Sequence, residues 1–370
     1  MIALQLHSMT WRLLGGVVGA VLLAGCTPPN LTARSGELNS LQAIVRVASD
    51  RFLAWSPDGS QLAVEHHGLK IYRLADGALH DTPIKHFDCV AWGDPGLASA
   101  VSEDTHFSLR LLDAQGQLRE LASGEGDVVD LAWASGQTLL ALVLRHETYS
   151  FGINQRSYLI AWKPDSPLVE ELLADVTLKP STPRLSKTFP LGPTLMVSPV
   201  GDEIIYRRLH DPPAFRAGYR VMVRHLATGR ERKLGDQPLS VGGLAMMADG
   251  ETALFADERQ LLQLELWGEA REQVADEMVQ HVAVAGEYSY IDGALFRRQQ
   301  RLWELPADFP GIFSPDGRHL AIIASAWLYL LDLPEAAARL AVTPQLLKLR
   351  RLRALGLISA DDYRRFRKEW

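Results

Sequence analysis

Cysteine is nearly absent. The chain has two in 370 residues, Cys26 and Cys89, which excludes a fold held by a disulfide framework. Long apolar runs are scarce as well. The clearest, Leu13 to Gly25 after Arg12, is 13 residues, short of the roughly 20 a spanning helix needs. The signatures of several enzyme classes are missing. There is no Gly-x-Ser-x-Gly elbow, no His-Glu-x-x-His, no Walker loop, no Gly-x-Gly-x-x-Gly after a strand and no Asp-x-Asp-x-Asp-Gly calcium loop. His66-His67 is the one adjacent histidine pair. On a strand, neighbours point to opposite faces, so the two would not share a metal. His80, His86, His106 and His146 are scattered over expected loops. The sequence thus nominates no catalytic residue, no metal ligand and no cofactor.

What is present is a repeat. Trp55-Ser56-Pro57-Asp58-Gly59 returns as Phe313-Ser314-Pro315-Asp316-Gly317, each between two short apolar runs. Pro presets φ, Asp hydrogen-bonds its own backbone and Gly accepts a positive φ, so each copy predicts a β-hairpin. The aromatic position serves as a ruler. Ala54-Trp55 is matched by Ala91-Trp92 and Ala132-Trp133, then more loosely at Val197, Met246, Val284 and Phe313. The gaps are 37, 41, 64, 49, 38 and 29 residues. A second signal follows several hairpins: a strand ending in a turn with Asp and Gly, as in Lys70–Gly77, Leu109–Gly116 and Val223–Gly229, and without the Gly in Leu328–Leu333. Short strands recurring at this period are the signature of a propeller blade.

The pattern resembles the bacterial TolB-type and WD40-like propeller repeats, over about residues 43–335. A β-sandwich also offers many short strands, but it need not repeat one motif at near-constant spacing. The expected fold is therefore all-β, a β-propeller of seven blades. Six or eight stay open because the 64-residue gap has room for a further blade or a loop. The lone strand Gln42–Ala48 is placed to pair with the last blade, after Trp327–Leu333, and so lock the ring.

The N-terminus reads as a targeting segment. Residues 1–25 fit a signal peptide, and Leu23-Ala24-Gly25-Cys26 resembles the bacterial lipobox. The resemblance implies cleavage before Cys26 and acylation of its thiol and amine, which anchors a protein stably because each buried CH₂ contributes about 0.8 kcal/mol. Position 27 is Thr rather than Asp, which by the family's sorting rule implies the outer membrane, facing the periplasm. Residues 26–41 are polar and turn-rich and read as a tether. Cys89 then reads as a small buried hydrophobe. Nucleic acid is disfavoured as a partner by that compartment.

Two segments inside the propeller, residues 42–335, stand out. Residues 163–193 contain six prolines and read as a partner-contacting insertion or a degenerate blade edge, with a short strand at Glu170–Val176. Arg207, Arg208, Arg216 and Arg220 surround a long hairpin tip, suited to an anionic group or to solvent.

The C-terminus is helical. Thr343-Pro344 starts a helix, Leu346, Leu349, Leu352 and Leu355 give a stripe, and Gly356 ends it. Ser359 and Asp362 form an approximate capping box ahead of Tyr363, Phe366 and Trp370. Residues 343–370 resemble the SHOCT module, a short helical hairpin, which implies oligomerisation or docking. Residues 346–370 carry eight Lys/Arg against three Asp/Glu, net +5, while the rest of the mature chain is net −12. The acidic body can therefore dock its own or a neighbour's basic tail; the tail can equally meet anionic lipid, another protein or solvent. Arg350, Arg353, Arg364 and Trp370 are its candidate contact residues.

Together these features point to a lipid-anchored periplasmic platform that binds envelope proteins and catalyses nothing, with a role in assembly, secretion or toxin neutralisation. The alternatives are a propeller hydrolase or lyase on periplasmic glycans or peptides, and a small-ligand sensor.

Overall fold

The computed structural model describes residues 41, 43–47, 54–149, 152–178, 194–210, 218–238, 243–333 and 344–368, apart from 248, 258, 270, 277–278, 299 and 306–308. Seven four-stranded antiparallel sheets follow one another along the chain. Blade 1 covers residues 54–81, blade 2 89–125, blade 3 127–178, blade 4 195–238, blade 5 244–275 and blade 6 282–304. Blade 7 takes three strands from 311–332 and its outermost from Ala43–Arg46. That strand pairs with Trp327–Asp332, Ala43 opposite Tyr329 and Arg46 opposite Trp327. Leu328–Leu333 lacks the glycine turn because its neighbour in the sheet comes from the other end of the chain.

The ruler holds in all seven blades. Trp55, Trp92, Trp133, Val197, Met246, Val284 and Phe313 each lie on the innermost strand of a separate blade. The 64-residue gap is taken up partly by the long strands of blade 3, Thr138–Tyr149, Gly152–Trp162 and Val169–Leu178. The expected strand at Glu170–Val176 is the core of that outer strand; residues 179–193 lie outside the described residues.

The first turns of blades 1, 4 and 7 share one wiring. In blade 1 the Ser56 hydroxyl donates to Asp58 Oδ1 at 2.6 Å and accepts the Gln61 amide at 2.9 Å, while Gly59 turns at φ +73°. In blade 7 Ser314 donates to Asp316 at 2.5 Å and accepts from His319 at 3.0 Å. In blade 4 the aspartate has moved past the glycine, yet Ser198 still donates to Asp202 at 2.9 Å and accepts from Glu203 at 3.2 Å. The circuit outlasts the motif because it needs only a hydroxyl, a nearby carboxylate and a residue that tolerates positive φ.

The core lies between blades. Apolar clusters fill the gap between each neighbouring pair, including blades 7 and 1, where Trp55 and Leu62 pack on Ala321 and Leu328. Two ruler tryptophans also staple blades by hydrogen bonds, Trp55 Nε1 to the Ile312 carbonyl at 3.4 Å and Trp133 Nε1 to the Ala91 carbonyl at 3.2 Å. Cys89 is buried in the cluster between blades 2 and 3. His66 and His67 sit in a turn, not on a strand, with their ring centroids 4.7 Å apart; the opposite-face argument does not apply to them.

Two helices follow the ring, α1 (Pro344–Ala354) and α2 (Ala360–Lys368). Gly356 closes α1 at φ +71°, its amide bonding the Arg353 carbonyl at 2.8 Å and the Leu357 amide the Leu352 carbonyl at 2.9 Å. These are the two bonds of a Schellman motif. The Ser359 hydroxyl caps α2 by accepting the Asp362 amide at 3.0 Å and donating to its carboxylate at 2.7 Å.

Candidate docking interface

Successive strands alternate direction, so each blade has turns on both faces of the ring. The turns joining first to second and third to fourth strands share one face. The helical hairpin sits on that face, against blades 4 and 5. Its apolar contact is small: Val200 of blade 4 with Leu346 and Tyr363, flanked by Leu349 and Ile358. The remainder is ionic.

Arg350 is the centre. Its guanidinium donates to Asp202 Oδ2 at 2.9 Å, to Glu203 Oε2 at 2.5 Å and to the Gly250 carbonyl at 2.9 Å. The Arg350 and Glu203 side chains are each 2% exposed. Glu203 also accepts from Trp267 Nε1 at 2.7 Å. Two carboxylates share this one guanidinium, so negative charge inside is not fully balanced. Burial pushes Glu203 up to about 7, against the pull of Arg350. Burial works against the charge on Arg350 too, but Glu203 and Asp202 outweigh it and raise its pKa.

Blade 5 supplies the second pair of carboxylates. Arg353 lies 3.6 Å from Glu251 and 3.5 Å from Glu265, with its guanidinium over the Tyr363 ring. The Tyr363 hydroxyl donates to Glu251 at 2.9 Å. Arg367 also pairs with Glu251, and Arg364 with Glu265. From the third-to-fourth-strand turn of blade 4, Arg230 donates to the Ala354 carbonyl at the end of α1. A Cβ at Gly356 would come within 2.8 Å of the same guanidinium, which could shift aside; the φ of +71° is what requires the glycine.

Among the described residues, one trio brings His, Asp or Glu ligand atoms within 4.8 Å of one another: Asp202, Glu203 and His225. Arg350 already occupies its two carboxylates, and the His225 Nδ1 accepts the Thr228 amide at 3.3 Å. The trio is therefore the docking site of the hairpin.

The arginines nominated by the sequence fall into two groups on opposite faces. Arg350, Arg353 and Arg364 are together in the hairpin interface, the first two buried. Arg208 and Arg220 are directly opposed across the long hairpin of blade 4, on the other face. Arg208 lies 3.8 Å from Glu231 and Arg220 3.6 Å from Asp236. Arg207 is buried with its guanidinium near the Tyr219 ring, and burial holds its pKa down to about 10. Its side chain is part of the interior rather than the hairpin tip. Arg216, Trp370 and Cys26 lie outside the described residues.

The sequence reading passed over the acceptors, Asp202, Glu203, Glu251 and Glu265. A signal was present. Where blades 1 and 7 continue from the turn as Ser60-Gln61 and Arg318-His319, blades 4 and 5 place Asp202-Glu203 and Glu251.

No protein-family model matches the chain, and no curated protein matches it. Solved structures do. Hydrazine synthase from Kuenenia stuttgartiensis is similar over 78% of this chain and 98% of its own, with a TM-score of 0.52 at 13% identity. TolB from Acinetobacter baumannii is similar over 78% of this chain and 80% of its own, with a TM-score of 0.42 at 12% identity. The C-terminal WD40 domain of Sif2 covers 80% of this chain and 99% of its own, with a TM-score of 0.47 at 11% identity. At such identities the likeness concerns the fold alone.

Proposed function

We propose that the protein is a lipid-anchored, non-catalytic interaction platform of the bacterial cell envelope, held at the outer membrane on its periplasmic side, with other envelope proteins as partners. The observation that carries this reading is the height of blade 3. Its central strands run 12 and 11 residues, against 4 to 8 in the other blades. Seven residues more than blade 1 add roughly 20 Å. The first-to-second-strand turns of blades 3 and 4 are packed together, a Cβ at Gly201 falling 2.7 Å from the Ser135 amide, so the surplus projects on the face away from the hairpin.

This arm is a braced sheet, not a loose loop. Arg156 bridges Glu147 at 3.1 Å and Asp175 at 3.0 Å across three strands. Arg145 holds Glu170 with two bonds of 2.7 and 2.6 Å. Near its tip the exposed Tyr149 donates to Glu147 at 2.5 Å. A rigid projection with an aromatic tip binds with little ordering cost.

A photo-crosslinking residue at Tyr149, compared with one at Gln115 on the opposite face, tests the platform. Discrete products in intact cells from position 149 alone are expected; identical patterns from both positions refute the arm as the contact. The anchor is tested separately. By mass spectrometry the mature protein is expected to begin at an acylated Cys26; an unmodified Cys26 refutes lipidation.

A further inference from the structure

The hairpin has a second face. Arg350, Arg353 and Leu346 point into the propeller. On the outside of α1, at helical spacing, stand Leu347, Lys348 and Arg351, all exposed, and the exposed Leu355 and Leu357 follow in the turn. Three of these leucines are unusually open: Leu347 at 38%, Leu355 at 43% and Leu357 at 66%. Exposed leucines set beside exposed cations can enter the headgroup boundary of a bilayer while the cations meet anionic lipid.

The route of the chain supplies the orientation. The strand Ala43–Arg46 runs antiparallel to Trp327–Asp332, with Arg46 opposite Trp327 at the far end. Its beginning, with Leu41 buried beside Leu331 and Leu333, is therefore on the face that carries the hairpin. Leu41, where the described chain enters the ring, is thus on the same face that exposes the stripe.

We infer that the outer stripe of the docked hairpin is a second membrane contact, lying on anionic phospholipid. The orientation rests on the anchored reading above; the stripe's own affinity does not. A weak apolar contact beside an anchor holds the disc face-down, with the arm of blade 3 directed away from the bilayer.

The test uses residues 27–370 without lipid, so that it is independent of acylation. Co-sedimentation is measured with vesicles of phosphatidylglycerol and phosphatidylethanolamine, and with phosphatidylcholine alone. Binding to the anionic vesicles, weakened by salt, is expected. A Lys348→Glu/Arg351→Glu/Leu357→Ser variant with unchanged thermal melting is expected to lose about tenfold or more of that binding. Equal binding by parent and variant, or no binding by the parent, overturns the inference. So does a parent dimer that the variant abolishes, which would assign the stripe to a second copy. If the vesicle result holds but Cys26 is found unmodified, the anchor fails and the stripe stands.

Discussion

Arg350 shows how one side chain can hold a domain in place. Substituting alanine leaves two carboxylates and the Gly250 carbonyl buried without their shared donor. Loss of one partner from a buried ionic group typically costs about 3–5 kcal/mol. Arg350→Ala is therefore expected to release the hairpin, read as fast hydrogen exchange across residues 344–368 with the blades still protected. Glu203→Gln should behave differently. The folded pKa of Glu203 is raised to about 7 from 4.5, so between those values the native state holds a proton that the unfolded chain has released. Its contribution is fully present below 4.5 and is lost as pH rises to 7. Glutamine stays neutral throughout. The Tm of the variant, relative to the parent, should rise between pH 5 and pH 7; a pH-independent difference would refute the raised carboxyl.

At the scale of the element, the blade is defined by its inner strand and first turn. Trp133 packs over Gly93 of blade 2, where a Cβ would stand 2.5 Å from the indole Cγ. The indole is also tied to that same strand by its hydrogen bond to the Ala91 carbonyl. Gly93→Ala therefore cannot be absorbed by a side-chain swing and should destabilise by about 1–3 kcal/mol, the range for overpacking a filled interior. Urea denaturation monitored by tryptophan fluorescence checks this. The same substitution at Gly116, with nothing within 4 Å of the added Cβ, meets no steric neighbour, but its φ of +78° still strains an alanine. The comparison separates crowding from backbone strain.

For the whole molecule, closure is decided at the N-terminal strand. Leu41 and Val47 are buried, and Ala43–Arg46 covers the edge of Trp327–Asp332. A chain starting at residue 48 loses two buried apolar side chains, each contributing about 1.5–3 kcal/mol, and exposes an open strand edge. It should unfold at lower temperature and aggregate, whereas a chain ending at residue 343 should keep all seven blades. Light scattering through a thermal ramp tests both. An N-terminal deletion that melts like the parent would refute closure by this strand.

The sequence by itself determined what depends on near neighbours. A hydroxyl, a carboxylate and a glycine within five or six residues wire the first turns of blades 1, 4 and 7, so the hairpins and their spacing were legible even where Ser198 and Asp202 had lost the motif's order, while the 64-residue gap left the blade count open. The helix starts and stops around Pro344, Gly356 and Ser359 are local in the same way. The tertiary structure alone decided which face the hairpin occupies and which arginines it conceals. Arg350 reaches partners 148 and 100 residues away, and the Asp202 carboxylate and the Gly250 carbonyl become neighbours only when blades 4 and 5 pack side by side. Charge can be counted along a chain, but its burial is a property of the packed surfaces.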